Sequence, residues 1–188
     1  PANTISLCGR CHGRLREKRV IAETQDGRML AEALAYAKRG WYVFPLHHPI
    51  ASGCSCSKDC DSPAKHPRTA KGLLDATRDQ AQIRRWWKTW PEANIGVRTG
   101  KISGIVVVDT DLKNDGPKNW SELQDVHGAV ETLTARTGGG GEHWIFLAPS
   151  DRQLKNTTSV IARGIDTRAE GGYIVAPPSL HMSGQRYE

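Results

Sequence analysis

The chain has 188 residues, 38% of them hydrophobic, and a mean hydropathy of −0.53. That is enough for one good core, no apolar run approaches the roughly 20 residues of a membrane helix, and no secretory apolar segment follows the N-terminus, so a cytoplasmic location is expected. Lys and Arg total 26 against 20 Asp and Glu, a net charge of +6 that leans toward a polyanionic partner without establishing one. The odd cysteine count, clustered as Cys8 and Cys11, then Cys54, Cys56 and Cys60, argues for metal rather than disulfides.

Residues 1–28 read as a polar, weakly patterned appendage. In the first helix Met29, Leu30, Ala33, Leu34 and Ala37 fall on one face, and Gly40 suits the position just past its end. Trp41–Leu46 reads as a strand, and Pro49–Gly72 as a long loop holding the second cysteine group. Thr77 and Gln80 then fit a capping box, Ile83, Trp86, Trp87 and Trp90 recur at helical spacing, and Pro91 ends the helix. These tryptophans could stack bases, but their spacing favours core packing. NIGVRTG is a short strand into a glycine turn, and Ile105–Val108 read as a strand buried on both faces. A third helix is predicted over Lys118–His127, with Trp120 and Leu123 inward and Gly128 as its stop. VETLTARTGGGGEHWIFLA reads as two strands around a glycine-rich connection, and GGYIVAPPS as a strand closed by Pro177 and Pro178. The irregular mixture predicts an α+β fold rather than a doubly wound sheet. The chain stops at SGQRYE without a turn or cap, which reads as the excised N-terminal part of a longer protein.

Four places carry chemistry. Asp109 and Asp111 end the Val-rich strand, and alternation puts residues i and i+2 on one face, roughly 6.6 Å apart along it. Such a pair can hold one divalent ion, or bridge two that clamp a phosphoryl transfer. The plain alternative is an Asx-type turn, since DLKNDG is full of turn residues, with Asp115 serving that turn or capping the next helix. In TGGGGEHW, the glycines allow close backbone approach to a phosphate with N–H groups pointing inward, and His143 could donate to a triphosphate oxygen. A flexible hairpin with a surface histidine is the alternative, and neither familiar nucleotide-loop pattern is present. Asp166 and Arg168, two apart on a strand, make either a plain ion pair or a metal ligand beside a phosphate contact. Cys54-x-Cys56-x₃-Cys60-x₅-His66 suits a closed tetrahedral zinc site stapling its loop, with His47 or His48 as substitute fourth ligands. Cys8-x₂-Cys11-His12 is half a site.

Taken in order, ALAYAKRGWYVFPLH, KHPRTAKGLLDATRDQAQIRRWW, NIGVRTG, VVVDTD, TGGGGEHWIF and GIDTRAEGGYIVAPPS resemble the bifunctional primase–polymerase domain. This domain belongs to the archaeo-eukaryotic primase superfamily and is carried by phage, plasmid and prophage replication proteins. The resemblance runs from about Met29 to Glu188, so residues 29–188 would be the catalytic domain, with a zinc loop at about 49–72. It implies an α/β unit packed on an RRM-like sheet, with the active site in the cleft between them. Asp109, Asp111 and Asp166 would hold the catalytic Mg²⁺ or Mn²⁺ ions, two in number. Gly141-Glu142-His143 corresponds to the family's small-x-His motif, placing His143 on the incoming nucleotide's phosphates beside the backbone of Gly140 and Gly141. Arg168 lies in the same matched segment as Asp166, and its phosphate contact is inferred from its charge. The Cys/His loop resembles a structural Zn²⁺ stem of many relatives. The implied activity is template-directed nucleotide transfer, as DNA primase and DNA polymerase, on single-stranded DNA template and primer with dNTPs or NTPs. Lys65, Arg68, Lys71, Arg84 and Arg85 would hold the template phosphates, and many relatives continue into a helicase domain.

Two rivals remain at this stage. A nucleotide-sugar glycosyltransferase also uses D-x-D with a divalent ion, but leaves the cysteine loop and His143 unexplained. A non-catalytic zinc-containing nucleic-acid-binding module explains the cysteines and charge, and leaves three carboxylates without a purpose.

Overall fold

The computed structural model describes residues 25–188; Cys8 and Cys11 lie outside the described residues. Helix α1, Gln25–Lys38, buries Met29, Ala33, Tyr36 and Ala37, with Leu30 and Leu34 packed alongside. It ends where Gly40, at φ +98°, turns the chain and donates its N–H to the Ala37 carbonyl at 3.1 Å. Strand β1, Val43–Leu46, is wholly buried. The next segment is not all loop: β2, Pro49–Ile50, and β3, Gly53–Cys54, pair as a small antiparallel ribbon carrying the first zinc-type cysteine.

Helix α2, Gln80–Thr89, buries Ile83 and Trp87. Its cap is Asp79, whose carboxylate accepts the Ala81 N–H at 2.9 Å, and not the expected Thr77–Gln80 box. Thr77 cannot serve because its backbone is bonded in both directions to Val43 of β1, so the helix starts two residues later. Trp87 donates its indole N–H to the Ala93 carbonyl, and Trp86 and Trp90 pack against the core, so all three tryptophans are packing residues.

Strands β4, Asn94–Arg98, and β10, Tyr173–Ala176, join β1 in an antiparallel sheet of order β1-β4-β10. The second sheet contains β5, Ile105–Thr110, β6, Leu133–Arg136, β7, Glu142–Leu147, β8, Thr157–Ala162, and β9, Ile165–Arg168. Its order is β6-β7-β5-β9-β8, antiparallel throughout. One face of β5 is buried through Ile105 and Val107, whereas Val106 and Val108 are only half-buried, which corrects the expectation of burial on both faces. The half-covered face lies toward α3, Gly116–His127, whose Trp120 meets Trp144 of β7 at 5.7 Å between ring centroids. Helix α3 starts two residues before the predicted Lys118, with Pro117 in its first turn; Asp115 precedes it at φ +59° without a side-chain cap bond.

Ile105, Val107 and Ile145 share one core with residues of α1, α2, β1, β4 and β10, so the two sheets are packed through a continuous apolar layer. The result is a mixed helix-and-sheet fold. No helix among the described residues is long and apolar enough to cross a membrane.

Candidate active site and metal centre

At the far end of β5 the core-facing side turns polar. Asp109 lies opposite His143 of β7 on one side and opposite Asp166 of β9 on the other. Directly opposed residues of antiparallel strands share a face, with Cα atoms about 4.5–5.5 Å apart. The three therefore form one row, on the face that carries Ile105 and Val107 further back. Arg168, two residues past Asp166, reaches over the row: its Nη2 lies 3.0 Å from Asp166 Oδ2 and 3.4 Å from Asp109 Oδ2. Two carboxylates only 25% and 19% exposed thus share one guanidinium. Holding two anions so close needs a cation, and the donor set suits hard divalent ions.

His143 is buried, with Nε2 3.5 Å from Asp109 Oδ1. Burial pushes its pKa below the ordinary histidine value, against the opposing pull of Asp109. Its Nδ1 is buried with no partner among the described residues, as in a ring that a ligand completes. Tyr187 stands 5.9 Å from it between ring centroids, and burial, reinforced by Asp109, holds the Tyr187 hydroxyl well above the usual phenol range.

Asp111 keeps extended backbone, φ −96° and ψ 117°, one residue past the strand. The strand ends at Thr110, and Asp111 caps a one-turn 3₁₀ segment, Leu112–Asn114. Its carboxylate accepts from the Lys113 N–H at 3.0 Å and from Asn114 Nδ2 at 3.2 Å. The turn reading therefore holds for this residue, although it still lines the same cleft as Asp109 and Asp166.

The glycine run differs from expectation. The N–H groups of Gly140 and Gly141 donate to the Thr137 carbonyl and hydroxyl, both at 3.0 Å, so they close the hairpin and do not point into the cleft. What requires glycine is close approach: a Cβ on Gly141 would run into the Thr110 carbonyl oxygen, and one on Gly138 into the His181 side chain.

The cleft has a volume of about 490 Å³, within the span of small-ligand sites. Lys113, Tyr173, His181 and Tyr187 line it, none of them singled out by sequence reasoning. The segment after Pro178 has no periodicity; its polar and aromatic residues in HMSGQRY were the available signal. Of the five cations expected on a template, only Lys65 lines the cleft. Arg68 is folded over the Trp90 ring at 5.1 Å and contacts His48 Nδ1 at 3.2 Å, while Lys71, Arg84 and Arg85 are exposed elsewhere.

The cysteine loop converges. The four donors of Cys54, Cys56, Cys60 and His66 lie within 4.8 Å of one another, with Cys54 Sγ 3.5 Å from His66 Nε2 and Cys56 Sγ 3.6 Å from Cys60 Sγ. Tetrahedral zinc with bonds near 2.3 Å to sulfur and 2.0 Å to nitrogen needs donors about 3.5–3.8 Å apart, so the set fits. Burial raises the Cys54 pKa, but N–H donors from Cys56 and Ala64 outweigh it and bring the thiol down to about 6. Desolvation and the neighbouring thiols push Cys60 up to about 12. His66 is the fourth donor; His47, bonded to Ser55 at 3.0 Å, and His48, 3.5 Å from Glu92, are engaged elsewhere. Burial holds His47 down to about 4.

A search of curated proteins finds no match. A family model for the N-terminal domain of bifunctional DNA primase/polymerase, Prim-Pol, matches residues 33–188. The chain belongs to that family, whose members are DNA primase/polymerase nucleotidyltransferases.

Proposed function

We propose that this member of the bifunctional DNA primase/polymerase family adds nucleotides to a primer 3′-hydroxyl on a single-stranded DNA template, with residues 29–188 as its catalytic domain. The observation that carries the reading is the cross-strand pair Asp109–Asp166, half-buried and sharing one cation. Asp109, Asp166 and Asp111 would hold two Mg²⁺ or Mn²⁺ ions, which supply charge stabilisation at the reacting phosphate and activation of the attacking oxygen. Arg168, released from the carboxylates, supplies a planar fork suited to phosphate oxygens. His143, fixed by burial beside Asp109, orients the phosphate chain, so positioning and preorganised charge are the main catalytic terms. The sheet β1-β4-β10 with its helices corresponds in this reading to the α/β unit, and the five-stranded sheet to the RRM-like half. The Cys54-Cys56-Cys60-His66 set would hold structural zinc. A non-catalytic nucleic-acid module gives the acidic row no role, since carboxylates repel phosphate.

The test is primer extension on a labelled primed template, with Mg²⁺ or Mn²⁺ and dNTPs or NTPs, beside Asp109→Asn and Asp166→Asn proteins. Metal-dependent extension that drops at least about 100-fold in each variant is expected for groups acting in the transition state. Absence of extension by folded wild-type protein in both metals would overturn the reading.

A further inference from the structure

We propose that Lys65, Lys113 and His181 form a triphosphate-binding corner of the cleft, which makes the zinc loop part of the nucleotide site and not a separate staple. The inference rests on the nucleotidyltransferase reading and assigns its substrate a second set of contacts. The three residues come from three separate segments: the cysteine loop, the turn after β5, and the stretch after β10. All three line the one cleft that holds the carboxylate row. The lysines act on the imidazole: after burial, the charges of Lys65 and Lys113 are what lower the His181 pKa. Among the described residues neither lysine has a carboxylate partner within 4 Å. Two unpaired ammonium groups converging on one volume favour a polyanion.

The imidazole is set as a donor. Ser183 donates its backbone N–H to His181 Nδ1 at 3.1 Å, while its hydroxyl donates onward to the Gly138 carbonyl at 2.6 Å. Nδ1 is therefore the acceptor, and Nε2 of the neutral ring carries the hydrogen. No proton uptake is needed to present it to a phosphate oxygen.

The corner is also held together. Asn94, buried in β4, donates from Nδ2 to the Ala64 carbonyl at 2.9 Å and to the Leu180 carbonyl at 2.8 Å, and its Oδ1 accepts the Leu180 N–H at 2.8 Å. One amide thus ties the residue before Lys65 to the residue before His181. Ala64 donates its N–H to Cys54 Sγ at 3.3 Å, His66 follows Lys65 directly, and Tyr173 donates its hydroxyl to the Lys65 carbonyl at 3.0 Å. Lys65 therefore stands between Ala64, which is bonded to Cys54, and His66, so occupancy of the set would hold the backbone that carries its ammonium. Two ammonium groups and an N–H donor fit the several oxygens of a triphosphate. A template strand would meet the cations outside the cleft.

Equilibrium binding of dATP and dAMP, and separately of a single-stranded oligonucleotide, tests this on wild type, Lys65→Gln, Lys113→Gln and, as a control on the exposed face of α3, Lys118→Gln. Loss of a charge-assisted contact predicts about 10- to 100-fold weaker dATP binding for Lys65→Gln and Lys113→Gln. Binding of dAMP and oligonucleotide should stay within about twofold, a tolerance set by the usual size of distant surface effects. In extension assays KM for dNTP should rise more than kcat falls. Chelating the zinc should weaken dATP binding in wild type while the far-ultraviolet dichroism persists. Unchanged dATP affinity, equal loss for dATP and dAMP, or loss confined to the oligonucleotide would each overturn the assignment. Failure of wild-type extension with intact, Lys65-dependent dATP binding would instead sink the polymerase reading.

Discussion

Replacing Asn94 by Ala removes a side chain that joins the cysteine loop to the His181 segment. Three backbone groups lose their partners: the Ala64 carbonyl in a buried setting, and the Leu180 carbonyl and N–H in a partly buried one. A buried polar group left unpaired costs about 1–3 kcal/mol. Taking about 2 kcal/mol for Ala64 and about 1 kcal/mol for each Leu180 group, which water can partly reach, gives about 4 kcal/mol. For a domain of this size that corresponds to a fall in Tm of roughly 8–16 °C. Urea unfolding is the assay, with the slope m unchanged if only the folded state is affected. Asn94→Asp should be no milder, because it keeps an acceptor for the Leu180 N–H but sets a carboxylate oxygen against two carbonyls. A loss under about 1 kcal/mol for Asn94→Ala, the worth of one ordinary hydrogen bond, would refute the clamp.

Gly141→Ala should abolish extension and destabilise the fold, because its Cβ meets the Thr110 carbonyl, whereas Gly139→Ala, whose nearest neighbour would stand at 3.7 Å, should fold as wild type; equal melting curves would contradict this. Cys54 has its pKa lowered from 9.0 to about 6 in the folded protein, so its contribution to stability is full above about 9 and is lost as pH falls through about 6. Zinc retention, followed by dialysis and elemental analysis, should fall on acidification as protons compete for the ligands, and zinc undiminished after acid dialysis would contradict a thiolate site. Loading zinc at pH 8 should release at least the proton of Cys60, held at about 12, as measured by calorimetry in two buffers of different ionisation enthalpy. Arg168→Gln removes the cation that competes for Asp109 and Asp166, so Mn²⁺ affinity without nucleotide should rise several-fold while extension falls, in keeping with pair energies of a partly exposed site. Weaker Mn²⁺ binding would contradict that competition.

Elements with strong periodicity were legible in the sequence: the faces of α1 and α2, the hairpin around the glycines, and the strand carrying Asp109. The Cys/His spacing foretold a convergent donor set because its ligands are close in sequence. Asp111 keeps extended backbone just past the last strand residue, so alternation still brings it to the cleft of Asp109 while its carboxylate also serves the turn that DLKNDG suggested. Strand β8 was missed because its central residues are exposed and show no alternation. The His143–Asp109–Asp166 row depends on the register of three strands, and the Lys65–Lys113–His181 corner on contacts between segments far apart in the chain. No local pattern encodes either juxtaposition; the family resemblance grouped the residues of the first, and the fold reveals the second.

Single-nucleotide incorporation opposite each of the four template bases, on a primed single strand with Mn²⁺ or Mg²⁺, asks most of this protein. Addition of the complementary nucleotide only, lost in Asp109→Asn and Asp166→Asn proteins that still melt cooperatively, is the predicted result. Incorporation that ignores the template base, or that survives both substitutions, would contradict a template-directed transfer centred on the acidic row.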